Sequence, residues 1–343
     1  MAAGSGWRPS TTWSPPGPRR GRRRIAGLAE AGYLTSTTAL ELEELPASMI
    51  VLGGGAIGLE LGQLFARLGV AATIVEALPR LAPAEEPEVS AVLDQVLSGE
   101  GIVTSPGTAV TAVRANSSGI TATGTRDGQP IEMHAEQLLV ATGQRPTTAG
   151  LNLDAVGVTV GPGGEIEVDP QLRTAHPRIW AAGDVTGGHQ FVYVAAAHGA
   201  IAAGNALNDA DCTVDYRSLP RVTFTTPGIA SVGLTEAQAI EHGYACDCRV
   251  LPLAHVPRAI VARDTRGLIK LVADAGTGRL LGAHVAADAA GEVIATAVYA
   301  LANQMTVQQM AELWCPYLTM AEGLKLAAQA FTRDLSRLSC CAA

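Results

Sequence analysis

Three glycines and one glutamate constrain this chain most. The apolar run Ser48-Met49-Ile50-Val51-Leu52 stops at Gly53, and the residues that follow place glycines at 53, 55 and 58 in a G-x-G-x-x-G spacing. Ile57 to Leu68 carries Leu61, Leu64, Phe65 and Leu68 at helical intervals, and a second apolar run, Ala71-Ala72-Thr73-Ile74-Val75, ends on Glu76. Strand, glycine turn, helix and strand in this order make one βαβ unit, whose right-handed crossover sets the two strands parallel. Gly53 is expected to form the tight turn, Gly55 to let backbone approach a pyrophosphate, and Gly58 to let helix and strand pack closely. The helix start then offers amides and a partial positive charge to phosphates. Glu76, 21 residues beyond Gly55, is placed to accept hydrogen bonds from the adenosine ribose and to repel a 2′-phosphate, which favours NADH over NADPH. The alternative assignment has Arg80 pairing that phosphate beside the acid.

Composition narrows the class of protein. With 343 residues, 48% hydrophobic and 16% charged, the chain holds enough apolar material for more than one core. No run approaches the ~20 apolar residues of a membrane span, so no membrane partner is expected. The charge is −8, but Met1 to Arg24 contains six Arg and no acid, which leaves 18 − 32 = −14 for the remainder. An acidic body argues against nucleic acid as a partner. Six irregularly spaced cysteines do not make a secreted disulfide framework, and a cytoplasmic location is expected.

Residues 1–24, rich in Arg, Pro, Gly and Ser, read as a disordered tail, and 25–46 as a linker. The nucleotide-binding domain is expected over 47–146: a helix at Val89–Leu97, a short strand at Gly101–Val103, strands over 107–134 turning at Asn116–Gly119 and Asp127-Gly128, and a closing strand from Gln137. Residues 147–210 contain one strand, Arg178–Ala182, then Gly183-Asp184 and an Ala-rich helix from Tyr193 to Leu207. Residues 211–335 read as an α+β unit with strands near 221–225, 248–254, 267–273 and 279–287 and helices near 289–303, 306–313 and 319–331. Thr235 with Gln238, Thr306 with Gln309 and Thr319 with Glu322 fit capping boxes. Residues 336–343 form a tail ending in Cys340-Cys341-Ala342-Ala343. Two soft thiols on such a tail suit a soft metal ion, whereas Cys246-Asp247-Cys248 is read as sending its thiols to opposite faces of a strand, away from chelation.

The Rossmann unit followed by Ala141-Thr142-Gly143-Gln144-Arg145-Pro146 and then Ala181-Ala182-Gly183-Asp184 resembles the flavoprotein pyridine nucleotide-disulfide oxidoreductases. Gln190–Ala197, Val256-Pro257-Arg258-Ala259, Pro316–Leu326 and Leu338–Ala342 are similar to the mercury-reducing branch of that family. The resemblance implies an α/β protein made of a Rossmann-type NAD(P)-binding domain, a partial FAD-domain segment (147–210) and an α+β dimerisation domain, acting as a homodimer. It implies FAD and NADH or NADPH as cofactors and Hg(II) as substrate. Gly143, Gly183 and Asp184 would belong to cofactor binding, the helix start at Val192 and Tyr193 would face the flavin, and Cys340 and Cys341 would carry Hg(II). Tyr317 stands where related disulfide reductases have a catalytic histidine, and is the candidate residue at the Hg(II) site.

The family also has an N-terminal FAD fingerprint and a Cys-x-x-x-x-Cys pair. This sequence holds one G-x-G-x-x-G and no cysteine before Cys212. It therefore reads as an N-terminally truncated or misframed product, inactive alone, with Ile179, Trp180, Phe191, Val192 and Val194 left facing water. Two alternatives stay open: a non-catalytic NAD(H)- and Hg(II)-binding dimerisation remnant, and a dihydrolipoyl dehydrogenase-like enzyme, which Glu76 suits and Tyr317 with the Cys340-Cys341 tail opposes.

Overall fold

Strand β1 (Ser48–Leu52) is buried along nearly its whole length, which is why its sequence is an unbroken apolar run and not an alternating one. The computed structural model describes residues 25–334. After β1 come α3 (Ala56–Arg67), β2 (Ala71–Val75), α4 (Pro87–Gly99) and β3 (Val103–Ser105), and β7 (Gln137–Val140) returns to β1. The four strands form a parallel sheet in the order β3-β2-β1-β7, as the βαβ reading requires. Between β3 and β7 lies an antiparallel sheet of β4 (Thr108–Asn116), β5 (Gly119–Arg126) and β6 (Gln129–Ala135). Asp127 and Gly128 both take positive φ, 50° and 76°, as a tight hairpin turn between β5 and β6 demands.

On α3 the buried stripe is Leu59, Leu61 and Phe65, while Leu64 and Leu68 face solvent. Residues 25–46, read as a linker, contain the short helices α1 (Leu28–Ala31) and α2 (Ser36–Ala39). They are also tied to strands: Ala26 N donates to Thr111 O at 2.9 Å, and Leu34 N to Leu138 O at 2.7 Å.

From Pro220 the chain forms β8 (Pro220–Thr223), β9 (Gly228–Gly233), α6 (Glu236–Glu241), β10 (Cys246–Pro252), α7 (Pro257–Ala262), β11 (Leu268–Asp274), β12 (Leu280–Ala287), α8 (Ala290–Ala302), α9 (Val307–Glu312) and α10 (Glu322–Gln329). Its antiparallel sheet has the order β10-β11-β12-β9-β8. The sequence reading lacks β9, whose Ile229, Ala230, Ser231 and Val232 are all buried and show no alternation. The boxes at Thr235 and Thr306 form as expected. The one at Thr319 forms only by half: Thr319 Oγ1 accepts from Glu322 N at 3.3 Å, but α10 starts at Glu322 behind Ala321, and the Glu322 carboxylate accepts from Leu318 N rather than Thr319 N.

Residues 25–141 and 216–334 form one unit, because Ile229, Leu268 and Ala286 of the second sheet enter the same apolar cluster as Met49, Leu59 and Leu93. Residues 142–215 form another. Its core is small, with Val158, Ile166 and Ala181 backed by Leu153, Val168, Ile179 and Val185. The strand expected at 178–182 is a single bridge, Trp180 opposite Arg173, because too few neighbouring backbone groups lie alongside to build a ladder. Helix α5 (Val192–Asn208) closes this unit. Of the residues expected to face water, Val192 is 87% exposed, Ile179, Trp180 and Phe191 are half-buried, and Val194 is buried.

Candidate functional site

The loop from β1 to α3 brings Gly53, Gly55, Gly58 and Glu76 together. Gly53 has φ 113°, which an L side chain rarely adopts, and its amide donates to Val75 O at 2.8 Å, closing the turn against β2. A Cβ on Gly58 would stand 1.9 Å from Gly53 O, so only glycine lets α3 start this close to the turn. A Cβ on Gly55 would meet nothing within 4 Å, which leaves open space where a pyrophosphate must approach. Gly55 is also the N-cap of α3 and supplies no side-chain acceptor, so no side chain caps the first-turn amides.

Glu76 is buried at the end of β2, and each of its oxygens accepts one backbone hydrogen bond: Oε2 from Gly54 N at 2.8 Å and Oε1 from Leu78 N at 2.8 Å. The carboxylate thus shapes the glycine loop. Each oxygen retains further acceptor capacity for a ribose hydroxyl. Arg80 turns away from this role, donating through Nη2 to Pro83 O at 2.9 Å and Glu85 O at 3.1 Å.

The other expected cofactor residues lie in the 142–215 unit. Gly143 has φ 114°. Gly183 has φ 77°, donates its amide to His198 Nδ1 at 3.1 Å, and with Asp184 opens a 3₁₀ turn that has no side-chain cap. A Cβ on Gly183 would come within 2.9 Å of Ala195 Cβ, so this turn packs directly on the first turns of α5. There Val192 and Tyr193 lead the helix, Phe191 caps it without a side-chain acceptor, and the Phe191 and Tyr193 rings stack at 5.2 Å.

Tyr317 is 61% exposed, just ahead of α10. Its neighbour Leu318 is held at φ 63° by the hydrogen bond from its amide to Glu322 Oε2 at 3.3 Å. Burial pushes the Glu322 carboxyl above the usual carboxylate range, and the Leu318 amide opposes that rise. Glu322 therefore fastens the backbone that presents Tyr317. Cys315 is half-buried, and burial raises its thiol. Cys340 and Cys341 lie outside the described residues.

The sequence reading missed a buried ionic layer between the nucleotide-binding sheet and the second sheet. Lys270, 2% exposed, donates to Glu86 at 3.0 Å and to Glu88 and Glu236 at 2.8 Å each. Its ammonium loses hydration on burial, but the three carboxylates outweigh this and hold its proton more firmly than in free lysine. Beside it, Arg221 Nε meets Glu85 Oε1 at 3.2 Å, and His284 Nδ1 stands 3.9 Å from Glu85 Oε2. Burial alone would raise the Glu85 carboxyl; His284 and Arg221 together bring it down to about 2. The local signal was the acidic run Glu85-Glu86-Pro87-Glu88 at the start of α4, which reads as a solvated helix start until its partners are known.

A parallel sheet with a glycine cradle, joined to an antiparallel sheet with helices α8 to α10, is the arrangement of one flavoprotein class. Residues 11–199 match the pyridine nucleotide-disulphide oxidoreductase family, and residues 219–328 match its dimerisation domain. The chain belongs to the pyridine nucleotide-disulphide oxidoreductases. Within that family it is 56% identical to the mercuric reductase of Streptomyces lividans over 318 residues, which is 93% of this chain and 67% of that protein. It is 47% identical to the mercuric reductase of Staphylococcus aureus, again over 93% of this chain but 58% of that one. The chain thus spans between half and two thirds of the length of these relatives. Among solved structures it is similar to the HOCl-induced flavoprotein disulfide reductase RclA from Escherichia coli in its Cu(II) complex, with TM-score 0.81 and 30% identity over 90% of this chain and 70% of that one. It is also similar to LpdA from Mycobacterium tuberculosis, with TM-score 0.80 and 30% identity over 91% of this chain and 68% of that one. Among the described residues no helix is long and apolar enough to cross a membrane.

Proposed function

We propose that this chain is the nucleotide-binding and dimerising part of a flavoprotein that reduces Hg(II), taking NADH in preference to NADPH. The observation that carries the reading is the cradle itself: open space at Gly55, a turn that only glycine permits at Gly58, and the Glu76 carboxylate at the end of β2. Gly53, Gly55 and Gly58 hold the pyrophosphate against the amides of α3. Glu76 takes the ribose hydroxyls, and its charge resists a 2′-phosphate. The overall chemistry is NADH + Hg(II) → NAD⁺ + H⁺ + Hg(0), a two-electron transfer.

The positive-φ turn at Gly183 and the uncapped start of α5 fit one edge of a flavin, with Asp184, Val192 and Tyr193 as its contacts and Gly143 as a further cofactor residue. FAD, when bound, supplies the electron relay between nicotinamide and metal. Tyr317 offers a solvent-facing phenol in place of a proton-shuttling imidazole, which suits a metal-ion substrate. Cys340 and Cys341 carry Hg(II) as soft thiolates. The sequence has a single dinucleotide fingerprint and no Cys-x-x-x-x-Cys spacing, so we propose that residues 1–343 bind the dinucleotide without turning over Hg(II) unaided.

Titrating the full chain with NADH and NADPH, followed by nicotinamide fluorescence, tests the first half of the proposal. Tighter NADH binding supports it; a folded protein that binds neither nucleotide refutes it. Hg(II)-dependent oxidation of NADH by the purified chain alone would overturn the second half.

A further inference from the structure

The sequence reading set Cys246 and Cys248 apart, and the structure reverses this. Both lie on β10, and residues two apart on a strand share one face. The alternate residues Asp247 and Arg249 bear out the facing. Arg249 turns to the helical side, where its Nε donates to Ala330 O at 3.2 Å and its guanidinium lies 5.1 Å from the Phe331 ring. Asp247 pairs with that same Arg249. Cys246 and Cys248 turn the other way and pack with Ala239, Val272, Leu281, Leu234 and Tyr244. β10 is the first strand of its sheet, paired only with β11 in the sheet order, with Cys246 opposite Asp274 and Cys248 opposite Val272. Neither cysteine is in a disulfide and both are half-buried, with the Cys246 thiol donating to Tyr244 O at 3.8 Å.

From this juxtaposition we infer that Cys246 and Cys248 form a two-thiol binding site for a soft cation of linear coordination, Hg(II) above all, on the dimerisation sheet and separate from the nucleotide cradle. Three considerations select that ligand class. The first is spacing: Cα atoms two apart on a strand are about 6.7 Å apart with parallel Cβ vectors, at the edge of what a disulfide spans and far from converging. A thiolate–metal–thiolate bridge needs its sulfurs only about 4.6 Å apart, taking twice a ~2.3 Å metal–sulfur bond. Side-chain rotation reaches that distance without bending the strand.

Donor number is the second. Among the described residues no group of three or more His, Cys, Asp or Glu side chains could hold a metal ion, so a four-coordinate ion such as Zn(II) lacks the rest of its shell here. Two sulfurs complete the coordination of a soft, linear ion.

Charge is the third. Two thiolates neutralise a divalent ion, and a neutral complex suits the apolar residues that pack on the pair. Binding then reads 2 R–SH + Hg(II) → R–S–Hg–S–R + 2 H⁺. Two S–H bonds break, two S–Hg bonds form, and the shell of Ala239, Val272 and Leu281 holds no net charge before or after.

The test uses native mass spectrometry on the full chain carrying C212S, C315S, C340S and C341S, with mercuric chloride as probe. One mercury per chain, with a mass gain of one Hg less two hydrogens, is the expected result. Adding C246S or C248S to this background should lower retention against excess glutathione by roughly 10²–10⁴-fold, because the second sulfur binds intramolecularly. A gain of Hg less one hydrogen with chloride retained, or no mercury at all, overturns the site. Should the background variant fail to fold, the comparison moves to the otherwise unmutated chain. There C246S/C248S should lower the mercury bound by one per chain, and unchanged stoichiometry overturns the inference. NADH binding is read separately, so failure at this pair is distinguishable from failure of the proposed function.

Discussion

Replacing Lys270 with Met isolates the ionic layer that joins the two sheets. Lys270 and Glu86 are each 2% exposed and 3.0 Å apart, whereas Glu88 and Glu236 are 38% and 42% exposed. Water screens the two outer pairs, so each contributes about 0–1 kcal/mol, and the inner pair dominates. Met fills much of the lysine volume but leaves Glu86 buried, its remaining donor being the Glu236 amide at 2.6 Å. Removing one partner of such a pair costs about 3–5 kcal/mol. For a unit of this size that corresponds to a fall in Tm of roughly 6–20 °C. The double variant E86Q/K270M removes both charges and should recover more than half of the loss. Because the folded Lys270 pKa is raised, its contribution is intact below the ordinary lysine pKa of about 10.4 and disappears only as pH climbs past it. Thermal melts at neutral pH read the effect directly. A K270M chain melting within about 2 °C of the parent would refute the reasoning, since it would mean that Glu86 is not stranded in an apolar layer.

Other expectations follow from the same geometry. Gly58→Ala pushes a methyl to 1.9 Å from Gly53 O and should weaken NADH binding at least about tenfold in a fluorescence titration, while Gly99→Ala, whose Cβ meets nothing within 4 Å, should leave it unchanged. Glu76→Gln keeps the side chain's size but removes its charge, so the ratio of NADH to NADPH affinity should fall by about tenfold; an unmoved ratio would show that the carboxylate does not discriminate. Glu85 has a depressed folded pKa of about 2, so its stabilisation, of the order of 3 kcal/mol, is present above pH ~4.5 and is lost as pH falls toward 2. Urea midpoints measured down that range should drop, and Arg221→Ala should move the drop to higher pH.

The nucleotide cradle is legible in the amino-acid sequence alone. The apolar runs of β1 and β2, the glycine spacing and the acid at the strand end are local signals, each imposed by sterics or burial within about thirty residues of chain. Capping at Thr235 and Thr306 was legible for the same reason, since the reciprocal bonds close within four residues. Where side-chain burial depends on partners far along the chain, the reading ran out. Leu64 and Leu68 have the spacing of a core stripe, yet they stay 42% and 54% exposed, and 178–182 has the composition of a strand without a ladder to join. β9 emerges only once the second sheet is assembled, whereas the shared face of Cys246 and Cys248 follows from the two-residue period of β10 alone. Lys270 and Glu86 are 184 residues apart, and no local pattern marks a lysine that will be buried against three carboxylates. Local sterics wrote the cradle into the sequence, whereas long-range packing alone decided which charges meet in the buried layer.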